Sequence, residues 1–343
     1  MTSPLKLGGF KILKGLTRFS IILQEREDCS PVELLGAIAG QGINLPYLNY
    51  VRASQCWALN ILVGSEQDSR TSLVIEEHAG KKFISSTENC IISIFPHKNN
   101  PQILGRLFGS FHERGIEVGG MANSLSTISV VLKEAVIDEA CNALFRPFAF
   151  STCNSPDEYM IAQRGKDEIY KEVNASYEEA RPKVYGLEYY KDQSLINIDM
   201  GNEDMSQTGQ VFEEYAGRGL GLTFSVLSPF QEEGDNILSF CLTEQKEKAD
   251  KRKGDHGVKI RYKGLIFPVI VFSMIGPHFG DRYGIGRELL ASLEEKNIDI
   301  LCLSCTVASI TGVIPSSQFN SLLEAMKESF EVPSVIERKR GPG

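Results

Sequence analysis

Four short polar segments carry the side chains best suited to hold a small charged molecule. They are residues 25–31, with Asp28 and Ser30; 96–100, with His97, Asn99 and Asn100; 201–207, with Glu203, Asp204, Ser206 and Gln207; and 278–284, with His278, Asp281, Arg282, Tyr283 and Gly284. The last shows the arrangement most plainly. An apolar strand-like run, 269–275, breaks at Gly276-Pro277, and apolar positions return at helical spacing through Ile285, Leu289, Leu290 and Leu293. A strand that feeds directly into a helix leaves the first helical N–H groups unpaired, and the helix dipole favours an anion there. An amino-acid carboxylate suits that position. The plainer reading of such residues is turn and cap chemistry, and Asp28 or Ser30 would make a good helix N-cap.

The elements that hold these segments recur. Residues 103–132 lie on 285–314 without a gap, Ile103 meeting Ile285, Ile116 meeting Ile298 and Val131 meeting Val313. Gly9-Phe10 through Ile21 lies likewise on Gly186-Leu187 through Ile198. The first half of the chain therefore repeats in the second, and each half reads as two units. Strands are expected at 16–24, 45–51, 58–63, 82–85 and 91–95, and helices at 31–41 and 69–78. In the second half, strands are expected at 269–275, 298–303 and 309–314, a helix at 318–330 and a closing strand within 332–336. Strand, helix, strand, strand, helix, strand is the order of a ferredoxin-like unit. The expected fold class is α+β: four βαββαβ units, each an antiparallel sheet with helices on one face.

The stretches IGPHFGDRYGIGRELLASL and NIDILCLSCTVASI resemble the second of the paired ACT domains of aspartokinases, and the Lys-Asp-Gln turn with the later EEGDNILSF resembles the first. The resemblance covers about residues 9–150 and 183–334. It divides the chain into units 9–86, 87–150, 183–264 and 265–336, with 151–182 as a linker helix. It implies amino-acid effectors at the strand-to-helix loops, with Glu203 or Asp204 placed to hold an ammonium group. Lysine-sensitive relatives carry an acid in the strand after the first helix; here Leu301, Gly119, Thr223 and Pro46 occupy that position. An unpaired buried ammonium is costly, so a small or apolar amino acid is expected in preference to lysine.

The repeats leave no residues for the nucleotide-binding domain that precedes the ACT pair in aspartokinases, and the Lys6-Leu7-Gly8-Gly9 stretch aligns with a strand of the repeat instead. The reading from sequence is a non-catalytic regulatory protein without a kinase domain. Its rivals are a stand-alone regulatory partner of an aspartokinase catalytic chain, and an interaction protein with vestigial pockets. A homodimer and a regulated enzyme are the expected partners, and the inter-unit contacts are expected to set how the halves sit.

Composition bounds the remainder. With 343 residues, 42% hydrophobic, the chain can bury more than one core. A net charge of -8 argues against nucleic-acid binding, since the run Lys246 to Lys253 is interleaved with acids. No apolar run approaches the ~20 residues of a membrane helix, and eight cysteines within apolar segments suit the cytoplasm. No cofactor or metal is expected, because the five histidines lack metal-ligand spacing. Cys302 and Cys305 have CxxC spacing but lie on a strand, where residues three apart face opposite sides.

Overall fold

The computed structural model describes residues 3–24, 29–53, 56–80, 83–156, 158–159, 181–201, 204–229, 236–243, 261–276, 283–306 and 309–338. The first half holds β1 (Leu5–Leu7), β2 (Gly9–Gln24), α1 (Pro31–Gly40), β3 (Tyr47–Ala53), β4 (Cys56–Gly64) and α2 (Asp68–Ala79). It continues with β5 (Phe83–Phe95), α3 (Pro101–Glu113), β6 (Gly120–Asn123), β7 (Ile128–Lys133), α4 (Ile137–Leu144) and β8 (Phe148–Phe150). The second half holds β9 (Gly186–Met200), α5 (Met205–Gly217), β10 (Leu222–Pro229), β11 (Asn236–Thr243) and β12 (Arg261–Ile275). It ends with α6 (Ile285–Glu295), β13 (Cys302–Thr306), β14 (Ser309–Pro315), α7 (Phe319–Ser329) and β15 (Val335–Glu337). Of the linker helix expected within 151–182, residues 157 and 160–180 lie outside the described residues.

Local sequence explains these elements. On α3 the apolar positions Ile103, Leu104, Leu107, Phe108 and Phe111 recur at helical spacing and are all buried. Asn100 caps that helix and Pro101 opens it, where a missing N–H costs nothing. The two halves close their first helices alike: Gly42 and Gly219 both take positive φ, 66° and 70°, and the next N–H groups, of Ile43 and Leu220, return to Ile38 and Tyr215.

The described strands form one large sheet in place of four unit sheets. Thirteen strands join in the order β11-β10-β6-β7-β5-β2-β4-β3-β13-β14-β12-β9-β15, and β11 also pairs with β9. The strands β2, β5, β9 and β12 are long enough to serve two units, so β5 and β12 run unbroken past residues 86 and 264. They turn at irregularities in the ladder. The β2–β5 register shifts between Leu13 and Arg18, around Gly15 at φ 72°, and Asp192 in β9 takes φ 52° at the equivalent place.

The bends fold the sheet into two facing layers. One core fills the space between them, with Leu16, Tyr47, Val51, Leu62, Phe224, Val226 and Val313. A second core lies under α1, α2, α6 and α7, and a third under α3, α4 and α5. Hydrogen bonds stitch the facing layers: Asn49 Nδ2 donates to the Leu227 carbonyl at 3.1 Å, and Ser304 Oγ to the Asn123 carbonyl at 3.0 Å. Each layer mixes the two halves of the chain, because β3 pairs with β13 in one and β6 with β10 in the other.

Candidate functional site

The segment 96–100 is described in full, and its polar groups are spent within the protein. His97 is 1% exposed. Its Nε2 lies 2.8 Å from the Ser124 carbonyl, and its Nδ1 accepts the Asn99 N–H at 3.0 Å, which fixes a neutral ring with the proton on Nε2. Burial lowers the His97 pKa, against a smaller raising effect of the Ser124 carbonyl. Asn99 donates from Nδ2 to the Tyr190 hydroxyl at 2.8 Å, and its carbonyl accepts the Leu222 N–H at 2.8 Å. Asn100 Oδ1 accepts the Gln102 N–H at 3.0 Å and so caps α3.

Ser30 also serves its helix. Its hydroxyl accepts the Glu33 N–H at 3.2 Å while Glu33 Oε2 accepts the Ser30 N–H at 2.8 Å, a reciprocal capping box. Asp204 turns inward to accept the Gly201 N–H at 3.1 Å and makes no side-chain cap to α5. Ser206 and Gln207 lie in the first turn of α5. Asp28, Glu203, His278, Asp281 and Arg282 lie outside the described residues.

Tyr283 and Gly284 border a different arrangement. Gly284 precedes α6 at φ 77°, without a side-chain cap, and its carbonyl takes the Glu288 N–H at 2.9 Å. Gly284, Ile285, Gly286 and Arg287 face Leu35, Ile38, Ile43, Asn44, Leu45 and Leu48 across a crevice of about 20 Å³, closed at one side by Cys305. That volume admits about one water. It adjoins a broad groove between α1 and α6, about 930 Å³, bordered by Glu33, Gly36, Glu77, His78, Tyr283 and Arg287. Sequence reasoning missed the first wall, Ile43 to Leu48, because it belongs to the opposite half of the chain. The repeat held a partial signal: Arg287 stands where its copy has Gly105.

That exchange distinguishes the two helix pairs. A Cβ added at Gly105 would sit 2.6 Å from the Gly209 carbonyl oxygen, so α3 and α5 touch backbone to backbone. Between α1 and α6 the long Arg287 side chain lies over Gly36 instead, its Nε 3.7 Å from where a Cβ would be. Arg287 and Gly36 both border the groove of that pair. Elsewhere, Cys302 belongs to the core between the layers and Cys305 to the helix-side core, so the CxxC pair is split by the strand. Burial pushes the Cys302 thiol up to about 12, which leaves it without thiolate at neutral pH. Among the described residues no cluster of metal-ligating side chains forms, and no helix is long and apolar enough to cross a membrane.

The architecture defines a mixed α/β protein with one large, folded-over sheet and helices outside it. Solved structures place this fold among aspartate kinases. Aspartate kinase from Synechocystis matches 94% of this chain at a TM-score of 0.73 and 16% identity; the chain spans 56% of that kinase's length. The regulatory subunit of aspartate kinase from Thermus thermophilus matches 42% of this chain and 99% of its own, at 0.37 and 16%. A structure of aspartokinase alpha and beta subunits matches 41% and 97%, at 0.36 and 17%. No family model matches the sequence, and no curated protein does.

The first match corrects three expectations. A non-catalytic protein, a regulatory array without a kinase domain and a chain that is not an enzyme are all overturned by a likeness that runs over nearly the whole chain and is to an enzyme. The rivals, a stand-alone partner and a vestigial interaction protein, fit no better. The error lay in counting the residues left outside the repeats. A sequence that spans 56% of a kinase's length carries no information about the remainder.

Proposed function

We propose that this chain works in an aspartate-kinase-type enzyme and carries amino-acid-responsive units of it, four βαββαβ units of the ACT kind. The observation that carries the reading is the crevice between Ile43–Leu48 and the uncapped start of α6, set in a fold shared with aspartate kinase. The first N–H groups of α6, which Gly284 does not cap with a side chain, suit the effector's carboxylate. Leu35, Ile38, Leu45, Leu48 and Ile285 suit an apolar side chain, and the groove beside them offers room on the scale of small-molecule sites. The contribution of His278, Asp281 and Arg282 and that of the acids Glu203 and Asp204 belong to the same proposal. So does a symmetric dimer as the working assembly.

The test has two readouts on one preparation. Phosphoryl transfer from ATP to aspartate is assayed with and without each of the twenty amino acids, and the same panel is run by thermal shift. One or a few apolar amino acids are expected to change the rate and raise the melting midpoint, with lysine behind them. At ~100 times its dissociation constant, one site contributes about 2.7 kcal/mol. Absence of aspartate-dependent ADP formation overturns the enzyme reading, and a flat thermal panel on folded protein overturns the effector reading.

A further inference from the structure

Hydrophobic attraction has no direction, so an apolar core alone specifies only weakly how far one packed layer sits over another. Here the crossing between the layers is made in part by groups that do have direction. Tyr47 and Asn49 on β3, Asn60 on β4 and Ser304 on β13 belong to the layer under α1 and α6, and β6 and β10 to the layer under α3 and α5. Asn60 Nδ2 donates to Ser228 Oγ on β10 at 2.5 Å, and Ser228 donates onward to Asn49 Oδ1 at 3.3 Å. Asn49 Nδ2 is shared between the Tyr47 hydroxyl, at 2.9 Å, and the Leu227 carbonyl across the gap, at 3.1 Å. Ser304 makes the fourth crossing bond, to the Asn123 carbonyl. All of these side chains are buried.

The repeat supplies an internal comparison. The shift that lays Gly9 on Gly186 lays Tyr47 on Phe224 and Asn49 on Val226, and the shift that lays Ile103 on Ile285 lays Ala122 on Ser304. The strand pairings agree, since Asn49 stands opposite Ser304 as Val226 stands opposite Ala122. Asn60, opposite Asn49, has its counterpart in Ser239, opposite Val226. Phe224, Val226 and Ala122 lie in the same core between the layers. This fold therefore accepts an apolar or short residue at each of these places, and the polar set is not needed to build it. What the polar set adds is direction. Groups on one face of a strand recur only every ~6.8 Å, and a hydrogen bond is lost beyond about 3.5 Å. A different offset of the layers would leave several buried donors unpaired at once.

We infer that the seam of Tyr47, Asn49, Asn60 and Ser304 is a register lock: it fixes one position of the α1/α6 layer over the α3/α5 layer and contributes uniqueness of structure more than net stability. Replacing both partners of a buried polar pair by apolar groups is close to neutral, whereas removing one partner strands the other. The lock also joins the outer faces. A displacement of α1 and α6 must either carry the other layer along or break these four bonds, so the helix pairs on opposite sides of the molecule move as one body while the seam is closed. The inference rests on the geometry of the seam and is independent of the effector reading.

The test uses the full chain and two variants. The combined variant Tyr47→Phe, Asn49→Val, Asn60→Ser and Ser304→Ala installs at each place the residue that its repeat already holds. The single variant Asn49→Ala takes one member away from Tyr47, Ser228 and the Leu227 carbonyl. In chemical denaturation the midpoint of the combined variant should lie nearer the parent's than that of Asn49→Ala does, although it carries four changes against one. Methyl-resolved nuclear magnetic resonance then reads the register. In the parent, Val51, Val226 and Val313 in the core between the layers should each give one set of methyl signals. In the combined variant those signals should double or broaden, with about a tenth or more of the intensity in a second set, while Ile75 and Leu104 in the helix-side cores stay single. One sharp set throughout the combined variant overturns the inference, because apolar packing then fixes the offset unaided. A combined variant that unfolds before Asn49→Ala, or does not fold, overturns it also, because the seam is then an element of stability. Equal midpoints for Asn49→Ala and the parent would show that the bonds hold nothing.

Discussion

His97 shows how one residue type supports opposite readings. In the sequence, a histidine beside prolines and asparagines after a strand resembles a ligand group. In the fold both ring nitrogens are bonded to backbone groups and the side chain is buried. Such a ring has a consequence for stability. Its folded pKa is lowered, chiefly by burial, from the ordinary 6.5. Below pH 6.5 the unfolded chain takes up a proton that the folded chain does not, so the stabilisation is complete above that pH. It falls as the pH drops from 6.5 toward the folded value, by up to about 1.4 kcal/mol per unit. The melting midpoint of the parent should therefore decline more steeply between pH 7 and 5 than that of His97→Gln, which keeps one polar contact and cannot titrate. Parallel slopes would show that this histidine does not govern acid sensitivity. Ser30 was legible from sequence, because a capping box depends only on neighbours three residues apart. The role of His97 was not, since its partner at Ser124 lies beyond an entire helix.

At the scale of elements, the helix pairs carry the difference between the two layers. The α3 and α5 helices cross where Gly105 and Gly209 face each other, and neither position tolerates a Cβ without backbone movement: the contacts would be 2.6 and 2.8 Å to carbonyl oxygens. Gly105→Ala should destabilise by about 1–3 kcal/mol in chemical denaturation. Gly109→Ala, one turn further along the same helix with nothing within 4 Å, should be neutral or stabilising by about 0.4–1 kcal/mol. A similar loss at both positions would mean that helix propensity, and not the crossing, sets the cost. The positions of α1, α2, α6 and α7 were legible because apolar periodicity is a local property. Strand ends were less so: 298–303 was expected where β13 occupies Cys302–Thr306, since the chain must first clear the preceding helix. The continuity of β5 and β12 through two units was likewise invisible, because a bulge in a ladder depends on the partner strand.

At the scale of the molecule, the halves of the sequence are not halves of the structure. Each layer takes strands from both, through β3–β13 and β6–β10, and the core between the layers contains Tyr47 and Val131 beside Phe224 and Val313. Residues 1–150 and 183–338 produced separately should each expose paired-strand edges and part of this core, and should self-associate or aggregate. Produced together they should form one complex with the melting behaviour of the intact chain. Size-exclusion chromatography and circular dichroism decide this, and two independently folded monomers would contradict the interleaved sheet. The order of elements, the two-fold repeat and the apolar faces were determined by sequence alone, since alternation and helical spacing arise between near neighbours. Which unit meets which was decided only in three dimensions. Strand edges pair through backbone N–H and C=O groups that every residue possesses, so the sequence does not mark β13 as the partner of β3. The crevice between Leu45 and Gly286 follows from that choice of partner.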